Sequence, residues 1–189
     1  QKGRTQLFGD IGLDFLDSGL HTRASVQLPD GRVEDVIDLL VDLSPAIQSL
    51  QEVLVGRVSM VAAIDSPASQ LAGLLAVRVS DVAYFDRRLG AANVILRFEE
   101  GKRLVLDPTT FEGPMGRVSA DGSWSFDGPL DYRIAWDEGS LAEAVDPGGA
   151  KALGVSGALT GRFVLGGTTD VYELDGTLAA AVQHEELGA

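Results

Sequence analysis

Apolar and polar residues alternate with a period of two along most of this chain. Val58, Met60, Ala62 and Ile64 alternate with Arg57, Ser59, Val61 and Ala63. Val94, Leu96 and Phe98 alternate with Asn93, Ile95 and Arg97, and Leu104 and Leu106 with Arg103, Val105 and Asp107. The pattern is cleanest where Leu130, Tyr132, Ile134 and Trp136 are set against Asp131, Arg133 and Ala135. It returns in Leu159, Phe163 and Leu165 and in Tyr172, Leu174 and Leu178; Ile11–Phe15 and Ala24–Leu28 read the same way. Successive side chains on a strand point to opposite faces, so each run predicts a strand with one buried side. The strands expected from such spacing are about 7–10 residues long.

Turn or bulge chemistry separates the runs: Pro29-Asp30-Gly31, Glu100-Gly101, Gly113-Pro114, Asp121-Gly122, Asp127-Gly128-Pro129, Gly166-Gly167 and Asp175-Gly176. Connections this short predict an antiparallel meander, because parallel neighbours need longer crossovers. Helical spacing occurs in three places. Val33, Val36, Ile37, Leu40 and Leu43 follow it, with Glu34 and Asp35 suited to the first turn. Ser44-Pro45 reads as a cap and first helical residue for a second helix through Ile47, Leu50 and Leu54. Ser140-Leu141-Ala142-Glu143 reads as a capping box, with Pro147-Gly148-Gly149 as the stop.

The chain also repeats itself. Gly56–Ile64 resembles Gly157–Leu165, and Leu71–Val77 resembles Leu174–Ala180; each opening strand follows a strand and then a helix. The register gives a period of about 100 residues. This divides the chain into strands plus a helical segment over 1–55, one β repeat unit over 56–156, and the start of a second over 157–189. The chain reads as part of a longer repeat protein, in which each unit buries its face against its neighbours.

Composition narrows the function. Apolar residues make up 45% of 189, so the chain can build a core. A net charge of −13 opposes binding to nucleic acid and flat docking on anionic lipid headgroups. Without cysteine there are no disulfides or thiolate ligands. No apolar stretch approaches the roughly 18 residues of a membrane helix, and Gln1-Lys2-Gly3-Arg4 does not open a signal peptide.

Candidate chemistry is sparse. His21 and His184 lie near opposite ends, without metal or triad partners at short spacing. Glu99-Glu100 and Glu185-Glu186 are adjacent carboxylates, which a strand would send to opposite faces. Gly161 and Gly166-Gly167 lack the Lys-Ser/Thr of a phosphate loop, and Asp65, Asp81, Asp86 and Asp107 lack calcium-loop spacing. The expectation is a non-catalytic chain with no metal and no cofactor. What stands out is an apolar face carrying Trp124, Phe126, Tyr132, Trp136 and Phe163. From pattern alone the favoured reading is an ordinary closed core; the sharper one is an open apolar trough that holds acyl chains, and periodicity does not separate the two.

The repeat resembles the TamB and AsmA-like family of cell-envelope proteins. The resemblance lies in Gly116–Trp124, Gly128–Ile134, Gly157–Thr168 and Leu174–Leu178, and extends over most of the chain from about Val33. It implies a mostly β fold, a long curved antiparallel sheet of open, taco-like form with a few short helices. It also implies a place in the periplasm of a Gram-negative bacterium, anchored to the inner membrane by a segment outside this sequence. The implied partners are phospholipid acyl chains and, for the full-length chain, an outer-membrane β-barrel assembly protein. Under that reading the floor holding acyl chains is Met60, Val77, Leu96, Phe98, Leu106, Trp124, Phe126, Tyr132, Ile134, Trp136 and Phe163. The competing class is a closed-core structural or adhesive β repeat acting through protein–protein contact. A carbohydrate-active domain ranks third, because it wants outward aromatics beside paired carboxylates.

Overall fold

The computed structural model describes residues 5–17, 19–40, 53–85, 87–145, 154–168 and 171–184. Ten strands run in order: β1 (Phe8–Leu16), β2 (Gly19–Arg32), β3 (Leu54–Pro67), β4 (Gly73–Tyr84), β5 (Arg87–Glu99), β6 (Arg103–Gly113), β7 (Gly116–Ser125), β8 (Leu130–Ser140), β9 (Val155–Gly167) and β10 (Tyr172–His184). Helix α1 (Val33–Leu40) joins β2 to β3 and helix α2 (Leu141–Val145) follows β8. Every strand pairs antiparallel with its sequence neighbours, in the spatial order β1 to β10. The sheet is not closed: β1 and β10 are its two edges. The second helix expected from Ser44-Pro45 lies outside the described residues, except that Leu54 opens β3. Pro147-Gly148-Gly149 and Glu185-Glu186 lie outside them as well.

Most strands are longer than the spacing suggested, 14 residues in β2 and β3, while β1 with 9 and β7 with 10 fall within it. Three of the expected breaks are strand interior. Pro29-Asp30 is a bulge within β2, where pairing steps from Leu28–Met60 to Gly31–Val58. Asp121-Gly122 and Asp175-Gly176 sit mid-strand in β7 and β10. Their glycines answer to close approach instead of chain reversal. A Cβ on Gly122 would stand 2.2 Å from the Asp131 carbonyl oxygen, and one on Gly176 would stand 2.5 Å from the Phe163 ring.

A regular irregularity bends the sheet. Each of β2, β4, β6 and β8 carries one extra residue relative to a neighbour, at Pro29-Asp30, Ser80-Asp81 (against β5), Asp107-Pro108 and Asp137-Glu138. A further slip falls in β5 beside Gly90. Bulges bend and twist the strand that carries them, and they admit proline because the ladder is already interrupted. Asp81 and Glu138 take positive φ there, 53° and 54°.

Only one compact core forms among the described residues. Leu28, Val33, Ile37 and Val58 are buried together, with Val36, Leu54, Met60, Val77 and Val79 packed around them. This cluster places α1 over the inner side of β2–β4. The helix start is tied down by its first-turn acids: Thr5 donates to Asp35, and Glu34 accepts from Arg32 and from the Gly56 amide. Helix α2 is opened by Ser140, whose hydroxyl accepts from the Glu143 amide. The two strand–helix–strand passages match further. Buried Gly31 pairs with Val58, and buried Gly139 pairs with Leu159. The sheet runs unbroken through 55–56 and 156–157, inside β3 and β9.

Candidate apolar groove

Register puts the apolar rows of all ten strands on one face. Leu28, Met60, Val77 and Val94 lie side by side across β2–β5. Leu75, Leu96, Leu106, Gly122, Tyr132, Leu165 and Leu174 continue across β4–β10. Nearer the opposite rim, Ile64, Gly73, Phe98, Leu104, Trp124 and Leu130 form a third row. Ile134 stands opposite Phe163, and Trp136 stands between Val118 and Gly161. All the expected floor residues therefore share this side. Phe126 is the one not on a strand; it sits in the β7–β8 turn, with its amide donating to the Lys102 carbonyl.

The face is concave and, among the described residues, largely uncovered. A flat sheet with no second layer would expose both sides alike. Here Val164 and Leu74, on the other face, are 46% and 42% exposed, although Ile95 and Val105 there are half-buried, and Phe163, Leu165, Leu75 and Leu96 are half-buried on this one. Neighbouring side chains on the inside of a curve shield one another, which accounts for the half-burial on this side. Nine strand spacings of about 4.8 Å make the trough about 43 Å long across the strands. Met60 and Val77 depart from the rest of the floor. They pack against the α1 core, so this helix covers the rim between β2 and β4; the short α2 packs against β9 and β8, and among the described residues no helix packs over β5–β7.

Aromatic rings concentrate at the opposite rim. Trp124 meets Phe126 edge-on at 4.7 Å between centroids, and Phe126 lies 5.7 Å from Phe98. The Trp136 indole donates 2.8 Å to the Met115 carbonyl, while the buried Trp124 indole nitrogen has no partner among the described residues. Burial pushes the Tyr132 hydroxyl above its ordinary pKa, as expected on an apolar floor. Mid-strand glycines let rings lie flat against the backbone. Gly161 and Gly176 flank Phe163, and Gly122 lies under Tyr132. Sequence reading named the large residues of this floor. It passed over Val94, Leu104, Phe111, Val118, Leu130 and Leu165, although the same alternation marks them.

The other face is polar and cross-linked. Arg–carboxylate pairs join six strand junctions: Arg23–Asp14, Arg57–Asp30, Arg97–Asp107, Arg117–Glu112, Arg133–Asp121 and Arg162–Asp137. Three of the carboxylates, Asp30, Asp107 and Asp137, belong to bulges. Exposed pairs of this kind contribute little each, about 0–1 kcal/mol, but they cost nothing while this side faces water and would be costly turned inward. His21 is brought to Asp65 at 2.7 Å, 44 residues away, with Arg23 alongside at 3.9 Å. That bond to His21, helped by the Arg23 charge, holds the Asp65 carboxyl below its ordinary range. Among the described residues no hydroxyl hydrogen-bonds to His21, and Ser66 is buried and bonded to the Ala72 backbone.

A concavity of about 280 Å³ over β7–β10 is lined mainly by this polar face, and its arginines are already bridged to Asp121 and Asp137. Among the described residues, no group of three or more His, Asp or Glu could share a metal ion, and no helix is long and apolar enough to cross a membrane. The chain matches no family model, no curated protein and no solved structure.

Proposed function

We propose that this chain is a lipid-holding segment of a cell-envelope transfer protein, with acyl chains lying on the concave face and headgroups in water along the open rim. The carrying observation is the continuous apolar floor of β5–β9, over which, among the described residues, only the short α2 packs, at β8 and β9. Apolar area left facing water on this scale is costly to a soluble monomer and normally marks a ligand or partner surface. The resemblance to TamB and AsmA-like proteins supplies the ligand class and the periplasmic setting.

The mechanism is passive. Each methylene withdrawn from water contributes about 0.8 kcal/mol, so two acyl chains are held firmly. That attraction is non-directional and the floor is a series of similar rows, so no single position traps the chain against sliding. The test is native mass spectrometry with lipid extraction on protein purified from the periplasm of a lipid-bearing host. Phospholipid is expected to co-purify and to be strongly reduced in Phe98→Asp, with the circular-dichroism spectrum preserved. Lipid-free protein from a stable fold would overturn the reading and favour the scaffold class.

A further inference from the structure

Arginines on the outer face of the sheet follow a rule. Six of them are bridged to a carboxylate on an adjacent strand, and Arg103 donates to Ser123. Arg78, exposed in the middle of β4, departs from it: among the described residues it has no hydrogen-bond or ion-pair partner. Its cross-strand neighbours are neutral. Ser59 stands opposite it on β3 and Asn93 on β5, and the row continues through Thr110 on β6 and Ser119 on β7. None of these four side chains has a hydrogen-bond partner among the described residues either. Three concavities of about 260, 240 and 210 Å³ meet at Arg78, and Ser59, Ser80, Asn93 and Thr110 help to line them. The carboxylates that line them, Asp30 and Glu112, are each held by an arginine of their own, Arg57 and Arg117.

From this arrangement we infer that Arg78, Ser59, Asn93 and Thr110 form a binding site for the phosphate of a small polyol phosphate ester. A carboxylate is the poorer fit. On this face one guanidinium already satisfies both oxygens of a carboxylate, as Arg57 does for Asp30 at 3.0 and 2.9 Å. A phosphate ester offers more acceptor oxygens than one such fork can fill, and the two hydroxyls and the amide beside Arg78 supply the further donors. The same groups, with Ser119 farther along the row, both donate and accept, which suits the hydroxyls of a polyol. A net charge of −13 opposes anions at a distance, so the binding expected is weak, in the millimolar range. The site lies on the face turned away from the trough, so it and the lipid reading can fail separately.

The experiment is an NMR titration of the whole chain with glycerol phosphate at fixed ionic strength, reading the Arg78 Nε–H and the Asn93 side-chain amide. Saturable shifts are expected at both. Affinity is expected to fall about tenfold or more in Arg78→Gln and to stay unchanged in Arg133→Gln, whose arginine is also exposed but already bridged to Asp121. Arg78 has no internal partner among the described residues, so the fold does not depend on it. Glycerate, with a carboxylate in place of the phosphate, is expected to bind about fivefold more weakly or worse. Equal binding of glycerate, shifts that rise without saturation at all arginines alike, or full affinity in Arg78→Gln would each overturn the assignment. Binding to vesicles of anionic phospholipid without any response to glycerol phosphate would overturn it too, by putting a membrane surface in place of a soluble ester.

Discussion

Glycine in this protein is read wrongly when it is read as punctuation. Asp121-Gly122 has the composition of a hairpin turn, yet Gly122 lies mid-strand at φ 153°, with the Tyr132 backbone and ring where a side chain would go. Gly122→Val is therefore expected to cost about 2 kcal/mol or more, from strain and from the collision with the Asp131 carbonyl, as a lower urea midpoint. The apolar partners of these glycines were legible because they kept the period of two. The glycines were not, because a tight turn and a close approach ask for the same residue. Titration also belongs at this scale. The Glu34 carboxyl is partly desolvated, but its backbone hydrogen bonds and Arg32 outweigh that and lower its pKa; Asp65 is lowered by His21. A carboxylate whose folded pKa is depressed stabilises the fold above its unfolded pKa and loses that contribution as pH falls through the folded value. Melting temperature is expected to decline on acidification below the ordinary values of 4.5 and 3.8, with these two groups adding no slope between pH 6 and 8.

Among the elements, α1 carries stability out of proportion to its length. Leu28 is 1% exposed, the most buried side chain of the core, and it is held by a helix that reaches across from the end of its own strand. Leu28→Ala is expected to destabilise by about 2–5 kcal/mol in denaturant unfolding, while Val164→Ala on the outer face should change it by no more than about 0.5 kcal/mol. Val33, Val36 and Ile37 at helical spacing, with acids in the first turn, made this helix readable in advance. Where it docks was not readable: helical spacing names the sticky side of a helix but not the surface it meets. The bulges were hidden for a related reason. Pro29-Asp30 looked like the end of a strand, because the ladder that continues past it depends on β3, which begins more than twenty residues later.

At the scale of the molecule, the alternation predicted a mostly β antiparallel sheet and could not decide between closed and open forms. Closure depends on which strands meet at the ends, and a period-two pattern is silent about that. In the open meander each strand is held by two neighbours, and each edge strand by one. Stability should then be graded along the sheet and not uniform. Amide exchange is expected to be slowest in β3–β8 and progressively faster towards β1 and β10; equal protection across all ten strands would contradict an open sheet.

The extra residues in β2, β4, β6 and β8 all fall on strands running in the same direction, one in each of the first four hairpins, with one further slip in β5 and none between β9 and β10. Bending is thus dispensed like a dropped stitch in every second row of a knitted strip. The tightness of the curl is fixed by that gauge, and its reach by how many rows are cast on. A hairpin gained or lost would lengthen or shorten the strip while leaving its bore unchanged, so width and span are free to vary separately.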